Sequence, residues 1–333
     1  MKNLTVKYMG LALKNPIVAA SSGLTSSLKG IKALEDSGVG AVVIKSLFEE
    51  EIIMETQDSM NRMQATGFIY PETMEYFDFD EIEDPVANYI KLISDAKREV
   101  NIPVIASINC VTAHKWPDFA KRIQEAGADA LELNIFALPS DFNRTAEENE
   151  KLYFDIIERV TSLVSIPVAV KISHYNASLA SFLKRLSETP IKSIVLFNRF
   201  YNPDIDINTL SFTAGNVLSS PSDLSMPLRW IAIMSERVSC DLAASTGIHD
   251  GNAVAKVLLA GASVVHVAST LYRNGLSRVG EMLKDLETWM DSMEYTTIDD
   301  FKGKMSQAKT FNPAAYERVQ FMKYFNPHYS SNL

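Results

Sequence analysis

The chain contains 333 residues, of which 47% are hydrophobic and 22% are charged, and its net charge is −9. This composition is typical of a globular protein with a large core, and the acidic balance argues against nucleic acid as a partner because phosphate backbones would be repelled. The N-terminus lacks the apolar run of a signal peptide, and no stretch of about 18 apolar residues could span a membrane. We therefore expect a cytoplasmic protein that does not contact a membrane.

The cysteines and histidines give no sign of a metal site. Cys110 and Cys240 are the two cysteines, and no CxxC pair of the kind that ligates zinc or an iron–sulfur cluster is present. We expect two reduced thiols, with a disulfide between them as the alternative. Four histidines also lack a spacing that fits a metal, namely His114, His249, His266 and His328. We therefore expect no bound metal.

Eight short apolar runs alternate with helix-length segments along the chain. Each run is rich in Val, Ile, Ala or Leu, as expected for parallel strands that are buried on both faces. In chain order they comprise residues 17–21, 41–45, 103–107, 130–134, 167–172, 193–198, 241–245 and 263–268.

The segments between these runs have the periodicity of amphipathic helices. Gly38, Gly127 and Gly261 follow three of them, where a left-handed helix cap is expected. Strand–helix alternation repeated through the chain predicts a single (β/α)8 TIM barrel, which we place at residues 1–307. A doubly wound open sheet is the alternative, but it would require a glycine-rich fingerprint after the first strand. Apolar residues recur at helical spacing within 27–37, 117–126, 147–165, 177–187 and 251–260.

Two segments do not fit the alternation. The connection from residue 46 to about residue 85 is long and acidic, which is typical of a lid, a subunit contact or a disordered segment. Residues 308–333 contain Pro313 and Pro327 and are predicted to form an extended C-terminal extension.

Polar residues follow several of the predicted strands. The active site of a TIM barrel lies at the carboxyl ends of its strands. Two lysines and two asparagines end otherwise apolar runs, which favours a site over an ordinary solvated rim. They are Lys45, Asn134, Lys171 and Asn198. Glu132, inside the fourth run, is expected to face the barrel interior or to be paired, and His266 is expected to face the helices.

The last two strands end in a pattern that favours phosphate binding. Thr246-Gly247 and Ser269 each precede a predicted helix, and the N–H groups at helix starts, together with hydroxyls, bind phosphate. Barrels commonly bind a phosphate between these two loops. The alternative is that these residues are ordinary helix caps.

At this point the chain resembles the class 1 dihydroorotate dehydrogenases. The similarity extends over residues 1 to about 307, and its specificity comes from the order and spacing of motifs that are individually weak. The motifs are Asn15-Pro16-Ile17-Val18-Ala19-Ala20-Ser21, Val43-Ile44-Lys45-Ser46, Glu132-Leu133-Asn134, Val170-Lys171 and the stretch 275–304 with Asp300-Phe301 and Gly303-Lys304.

The resemblance implies an FMN oxidoreductase of pyrimidine biosynthesis that forms a homodimer. It places Ala20 and Ser21 near the flavin and Lys45 and Ser46 against the ring and ribityl chain. Asn134 and Lys171 would hydrogen-bond the ring, with Lys171 near the N1–O2 edge. Thr246, Gly247, Ala268 and Ser269 would bind the phosphate, and Asn198, with Lys45 and Asn134, would bind the substrate.

The substrate side departs from the family's pattern. The family has a Cys or Ser as the catalytic base three residues beyond the asparagine of the fourth strand, where this chain has Ala137. Pro139 and Arg199 replace an Asn and a Ser, and 64–67 replaces an Asn-rich substrate loop. Possible substitutes for the base are Ser140, His174 and Tyr201.

Three functions remain open on the sequence. The first is a flavin oxidoreductase that transfers a hydride between a small polar substrate, dihydroorotate or a relative, and flavin N5. The second is a Schiff-base lyase that uses Lys171 or Lys45. The third is a flavin-binding redox subunit that relays electrons to a partner protein, which the missing base favours.

Overall fold

A computed structural model describes residues 2–48, 85–109, 116–135, 138–199, 203–215 and 217–317. Several sequence predictions fall outside these ranges, namely those on Ala137, Tyr201, Cys110, His114, His328, the loop 64–67 and most of the long connection after the second strand.

The elements follow one another as alternating strands and helices. The strands are β1 (Val6–Tyr8), β2 (Leu11–Leu13), β3 (Ile17–Ala19), β4 (Ala41–Val43), β5 (Leu47–Phe48), β6 (Val104–Asn109), β7 (Ala130–Asn134), β8 (Val168–Ile172), β9 (Ser193–Leu196), β10 (Pro203–Asp206), β11 (Ser211–Ala214), β12 (Asp241–Ser245) and β13 (Val264–Val267). The helices are α1 (Leu28–Ser37), α2 (Pro85–Glu99), α3 (Trp116–Glu125), α4 (Ala146–Thr161), α5 (Leu179–Ser187), α6 (Ser225–Met234), α7 (Gly251–Ala260), α8 (Ser269–Asn274) and α9 (Arg278–Ser292).

Eight parallel strands close into a barrel. Their order is β3-β4-β6-β7-β8-β9-β12-β13, and β13 pairs with β3 to complete the ring. All eight predicted strands are confirmed to within a few residues, and so is the (β/α)8 TIM barrel. The open-sheet alternative is wrong, because an open sheet has two unpaired edges and this ring has none among its eight strands.

The floor of the barrel is closed by an N-terminal hairpin. β1 and β2 pair antiparallel, and Tyr8, Met9 and Leu13 pack against the inward-facing side chains of the strands. The inward-facing residues of this layer are Val18, Val43, Ile105, Ala130, Ala169, Val195, Ala243 and Val264. A separate, larger apolar core lies between the outer faces of the strands and the helices.

The next layer of the barrel interior is polar. Successive inward residues of a strand are two apart, so Glu132, Lys171 and His266 lie one step above Ala130, Ala169 and Val264. Glu132 therefore faces the interior, which confirms one of the two alternatives that the sequence left open. The expectation that His266 faces the helices is wrong, because Val264 on the same strand belongs to the interior cluster.

Helix ends follow the sequence signals closely. Gly38, Gly127 and Gly261 have φ values of 100°, 92° and 117°, which confirms the predicted left-handed caps. The segment after α9 returns to the barrel, since the amides of Gly303 and Met305 donate to the carbonyls of Leu258 and Leu259. No helix in the described ranges is long and apolar enough to cross a membrane.

Candidate active site at the barrel mouth

Three hydroxyls form a chain across the first strands at the carboxyl end of the barrel. Ser21 Oγ accepts a hydrogen bond from the Ser46 amide at 2.8 Å and lies 3.1 Å from Ser46 Oγ. Ser46 Oγ in turn lies 2.8 Å from Ser107 Oγ. The site thus gains Ser107, on β6, which the sequence did not single out. Lys45 is half-buried beside this chain, and Ala20 is buried at the end of β3.

Two amide side chains meet on the opposite wall of the mouth. Asn198 Nδ2 donates to Asn134 Oδ1 at 2.6 Å, and the Asn198 backbone amide is held by the Ile172 carbonyl at 2.8 Å. Asn134 also aligns with Lys171 in the register of β7 and β8. The structure therefore brings together Asn134, Lys171 and Asn198, as their positions at strand ends predicted.

Lys171 is the buried cation of the site. Its side chain is 9% exposed, and Nζ lies 3.9 Å from Glu132 Oε1, which is too far for a hydrogen bond. No hydrogen bond from Nζ to another described residue is recorded. The N–H donors of the ammonium therefore remain available to a group at the barrel mouth.

In the same interior layer, Glu132 also approaches His266. Nδ1 of His266 lies 3.6 Å from Glu132 Oε2. Burial raises the pKa of the Glu132 carboxyl, against the opposing effect of Lys171. Burial also lowers the pKa of His266 to about 3, and the Lys171 charge adds to this. Both shifts favour the neutral forms of these two side chains.

The loops after β12 and β13 meet the segment before α6 through a set of hydrogen bonds. Thr246 and Gly247 have φ values of 81° and 80°, so two consecutive residues adopt the left-handed conformation. The Gly247 amide donates to Ser219 Oγ at 3.4 Å, and the Ser219 amide donates to Ser269 Oγ at 2.9 Å. His249 Nε2 lies 3.2 Å from Ser219 Oγ. The structure thus joins the predicted Thr246, Gly247 and Ser269 to two residues that the sequence did not assign to the site, Ser219 and His249.

The first turn of α7 is capped by a side chain of the protein itself. Asp250 caps this helix, and its carboxylate accepts the Ala253 amide at 2.7 Å. This cap satisfies one of the first amides of α7. The Gly247 and Ser219 amides are the backbone donors nearest to Ser269 in this part of the mouth.

The candidate bases differ in position. Ser140 is exposed, whereas His174 is half-buried and packs against Tyr175 and Phe197 with ring centroids 4.3 and 5.9 Å apart. Burial lowers the pKa of His174. Its side chain lines a cavity of about 360 Å³ together with Asn198 and Thr246. Of the described candidates, only His174 shares a cavity with the predicted site residues.

Arg199 has a partner of its own. Nη1 of Arg199 lies 2.9 Å from Asp223 Oδ2. This ion pair joins the end of β9 to the turn before α6, so that Arg199 borders the same cavity with part of its charge compensated.

Comparison with known proteins matches this geometry to a family. The family model described as dihydroorotate dehydrogenase matches residues 3–290. A protein named dihydroorotate dehydrogenase B (NAD(+)), catalytic subunit, from Thermoplasma acidophilum is 26% identical over 315 residues, which span 91% of this chain and 99% of that protein. Proteins of the same name from Methanocaldococcus jannaschii and Bacillus cereus are 22% and 23% identical, over 90% and 91% of this chain and 97% of each relative.

The match extends over most of the chain, from the hairpin on the barrel floor into α9. Its length agrees with the observed barrel, whose strands all lie within the matched residues. The chain therefore belongs to the dihydroorotate dehydrogenase family, a group of flavin-dependent oxidoreductases that act on CH–CH groups.

Proposed function

We propose that the barrel mouth binds FMN and that the chain transfers a hydride between flavin N5 and a small polar substrate, dihydroorotate or a relative of it. The observation that carries the proposal is Lys171, a buried ammonium that makes no hydrogen bond to another described residue and lies 3.9 Å from Glu132 Oε1. Burying a charge without hydrogen bonds is costly, so such a group is expected where a ligand supplies its partner. A flavin ring, with acceptors along one edge, would do so.

Other residues at the mouth also fit a polar-edged aromatic ring. The Ser22 hydroxyl is buried without a hydrogen-bond partner in the described part of the chain. The Tyr272 hydroxyl lies close to Gly23, 2.7 Å from where a Cβ would be. Polar groups of this turn therefore lie beside the same opening.

Each residue would have a distinct task. Lys171 and Asn134 would hydrogen-bond the ring, while Lys45 and Ser46 would contact the ring and ribityl chain beside Ala20 and Ser21. When bound, FMN supplies the hydride acceptor. The Lys171 ammonium would stabilise the negative charge that the ring gains on reduction, because charges interact more strongly in a site with little water.

The phosphate would lie at the loops after β12 and β13. Thr246, Gly247, Ala268 and Ser269 would surround it, and the Ser219 amide is a further donor, since its present partner is the Ser269 hydroxyl at 2.9 Å. Backbone amides and hydroxyls are the donors that phosphate accepts best in neutral sites.

The substrate would lie on the Asn198 side, with Lys45 and Asn134 as further contacts. Ala137 cannot remove a proton, so another group must do so if dihydroorotate is oxidised. His174 is the candidate that the cavity favours, because its lowered pKa leaves a neutral imidazole that can accept a proton near pH 7.

A second candidate function is electron relay to a partner protein. The relatives are named as catalytic subunits, which implies a second subunit in their complexes. Ala137 in place of the usual base favours this function for the present chain, since flavin binding could persist while substrate oxidation is lost. We also propose a homodimer, on the family resemblance alone.

The test of FMN binding is direct. The purified protein should be yellow, and denaturation should release FMN rather than FAD. A colourless protein that cannot be reconstituted with FMN would contradict the proposal. Anaerobic reduction of the bound flavin by a partner protein, but by no small substrate, would support the relay over the oxidoreductase.

A further inference from the structure

A cluster of titratable side chains lies inside the barrel, beneath the proposed flavin site. Glu132 is 1% exposed and His266 is 2% exposed, and both lie in the same interior layer as Lys171. The Tyr8 ring, which is fully buried, meets the His266 ring edge-on with centroids 6.1 Å apart. Neither Glu132 nor His266 is among the residues assigned above to the flavin or to the substrate.

The polar atoms of this cluster are not satisfied by hydrogen bonds. Both carboxyl oxygens of Glu132 and both ring nitrogens of His266 lack a hydrogen-bond partner among the described residues. Buried polar atoms without partners are rare in folded proteins and usually indicate a functional or strained position.

Two protonation states of Glu132 can be compared against this geometry. An ionised carboxylate would have four acceptor sites, no donor within hydrogen-bond distance, and only the Lys171 ammonium at 3.9 Å as a counter-charge. A neutral acid needs one acceptor, and His266 Nδ1 at 3.6 Å is within a small adjustment of a hydrogen bond. The neutral acid therefore fits the cluster better.

We propose that Glu132 is a positioning residue, held as a neutral acid that shares its proton with His266, so that the charge of Lys171 is left uncompensated for the flavin above it. The proposal rests on the proposed function for its consequence at the flavin, although not for the protonation state itself. An ionised Glu132 would neutralise part of the Lys171 charge and weaken its effect on the flavin.

The other titratable groups near the cluster do not take over the role proposed for Glu132. Among the described residues, the titratable side chains that act on the cluster are Lys171 from β8, His266 from β13, Tyr8 from β1 and Tyr89 from α2. Burial raises the pKa of both tyrosines, so they stay neutral near pH 7. Asp241 on β12 acts on Tyr8 and is held by the Met9 amide and the Ser263 hydroxyl.

The protonation state is tested first on the chain without flavin. The stability of the wild type and of Glu132→Gln is measured by denaturant unfolding between about pH 5 and about pH 8. An unfolded glutamate ionises near 4.5, whereas the folded one stays neutral, so the wild type should lose stability relative to the variant as the pH rises. Where the folded group is still neutral, the ratio of unfolding constants should change about tenfold per pH unit.

Glu99→Gln is the matched control, because the Lys32 ammonium lowers the pKa of this exposed carboxyl. The folded carboxyl ionises below 4.5 and the unfolded one near 4.5, so the stability difference between the wild type and this variant should stay nearly constant between about pH 5 and about pH 8. A constant difference for Glu132→Gln across the same pH values would overturn the proposal, whether or not the protein binds FMN. If Glu132→Gln does not fold, isotope-edited infrared spectra of the wild type decide, since a protonated glutamate band at neutral pH is required.

The consequence at the flavin is tested on FMN-loaded protein. The midpoint potential of the wild type should fall more steeply with pH once Glu132 ionises, whereas Glu132→Gln, which stays neutral, should lack this extra dependence. Identical potentials for the two proteins at pH values where the first experiment shows Glu132 to be ionised would overturn the coupling to Lys171 and leave FMN binding itself untouched.

Discussion

Lys171 is the residue on which the flavin proposal depends most. Removal of its ammonium by Lys171→Met should weaken FMN binding and lower the midpoint potential of the bound flavin, because the reduced ring would lose a nearby positive charge in a site with little water. We expect a loss of about tenfold or more in affinity, the effect of about 1.4 kcal/mol. Fluorescence titration and redox titration measure the two effects.

Lys184→Met is a suitable control, because Lys184 is exposed and pairs with Glu188 on the surface of α5. It should leave both quantities unchanged. Unchanged affinity and potential in Lys171→Met would show that the ammonium does not face the flavin.

His266 should limit stability in acid. The pKa is about 3 in the fold, against 6.5 for an ordinary histidine, so the unfolded chain binds the additional proton first. The stabilising contribution of the neutral imidazole is complete above about pH 6.5 and is lost as the pH falls towards 3. His266→Gln removes this titration, so its stability should fall less steeply in acid. Parallel stability curves for the two proteins would contradict the assignment.

Residues at or just after strand ends could be recognised in the sequence, whereas Ser219 and His249, which lie farther along the connecting segments, could not. Asn134, Lys171 and Asn198 interrupt apolar runs, and this pattern is visible without a structure. Ser219 and His249 come from irregular segments with no periodicity, and only the folded loops bring them to Ser269. His266 was assigned to the wrong face because one histidine in a continuous apolar strand gives no alternation to fix the direction.

At the scale of the elements, the loop after β12 depends on one glycine. A Cβ at Gly247 would lie 2.1 Å from the backbone nitrogen of Leu224, and φ is +80°. Gly247→Ala should therefore displace the loop against the turn before α6, with a loss of about 1–3 kcal/mol in stability and weaker binding of FMN. Thermal unfolding and flavin titration measure the two losses.

Gly280→Ala in α9 provides the matched control. Nothing lies within 4 Å of a Cβ at this exposed helical position, so the substitution should stabilise the protein by up to about 1 kcal/mol. Equal effects of the two substitutions would indicate that the close approach at Gly247 is not required.

The sequence predicted the barrel elements better than the additions to the barrel. The strands were visible as apolar runs, and five helices as amphipathic repeats. The hairpin β1–β2 was missed because each strand has three residues, too few to show alternation. Helix α6 was also missed. One reason is that Pro227 lies in its first turn, where proline is tolerated but weakens the helical signal in the sequence.

For the whole molecule, the family and the fold agree on a barrel of the dihydroorotate dehydrogenase family. Family membership argues against the Schiff-base lyase alternative, since the members of the family are flavin-dependent oxidoreductases. The order of the strand-end motifs was the feature that identified the family from the sequence. Residue Ala137 and the loop 64–67, which bear most on the substrate, lie outside the described residues, so for them the sequence is the sole argument.

The most direct test is anaerobic stopped-flow reduction of the FMN-loaded protein by dihydroorotate, compared between the parent and Ala137→Cys. A positioned base contributes about 10²–10⁴-fold to such a rate. We predict slow reduction of the parent flavin and a large acceleration by the cysteine. Rapid reduction of the parent, unchanged in Ala137→Cys, would contradict this prediction and would assign the proton transfer to another group, with His174 as the first candidate.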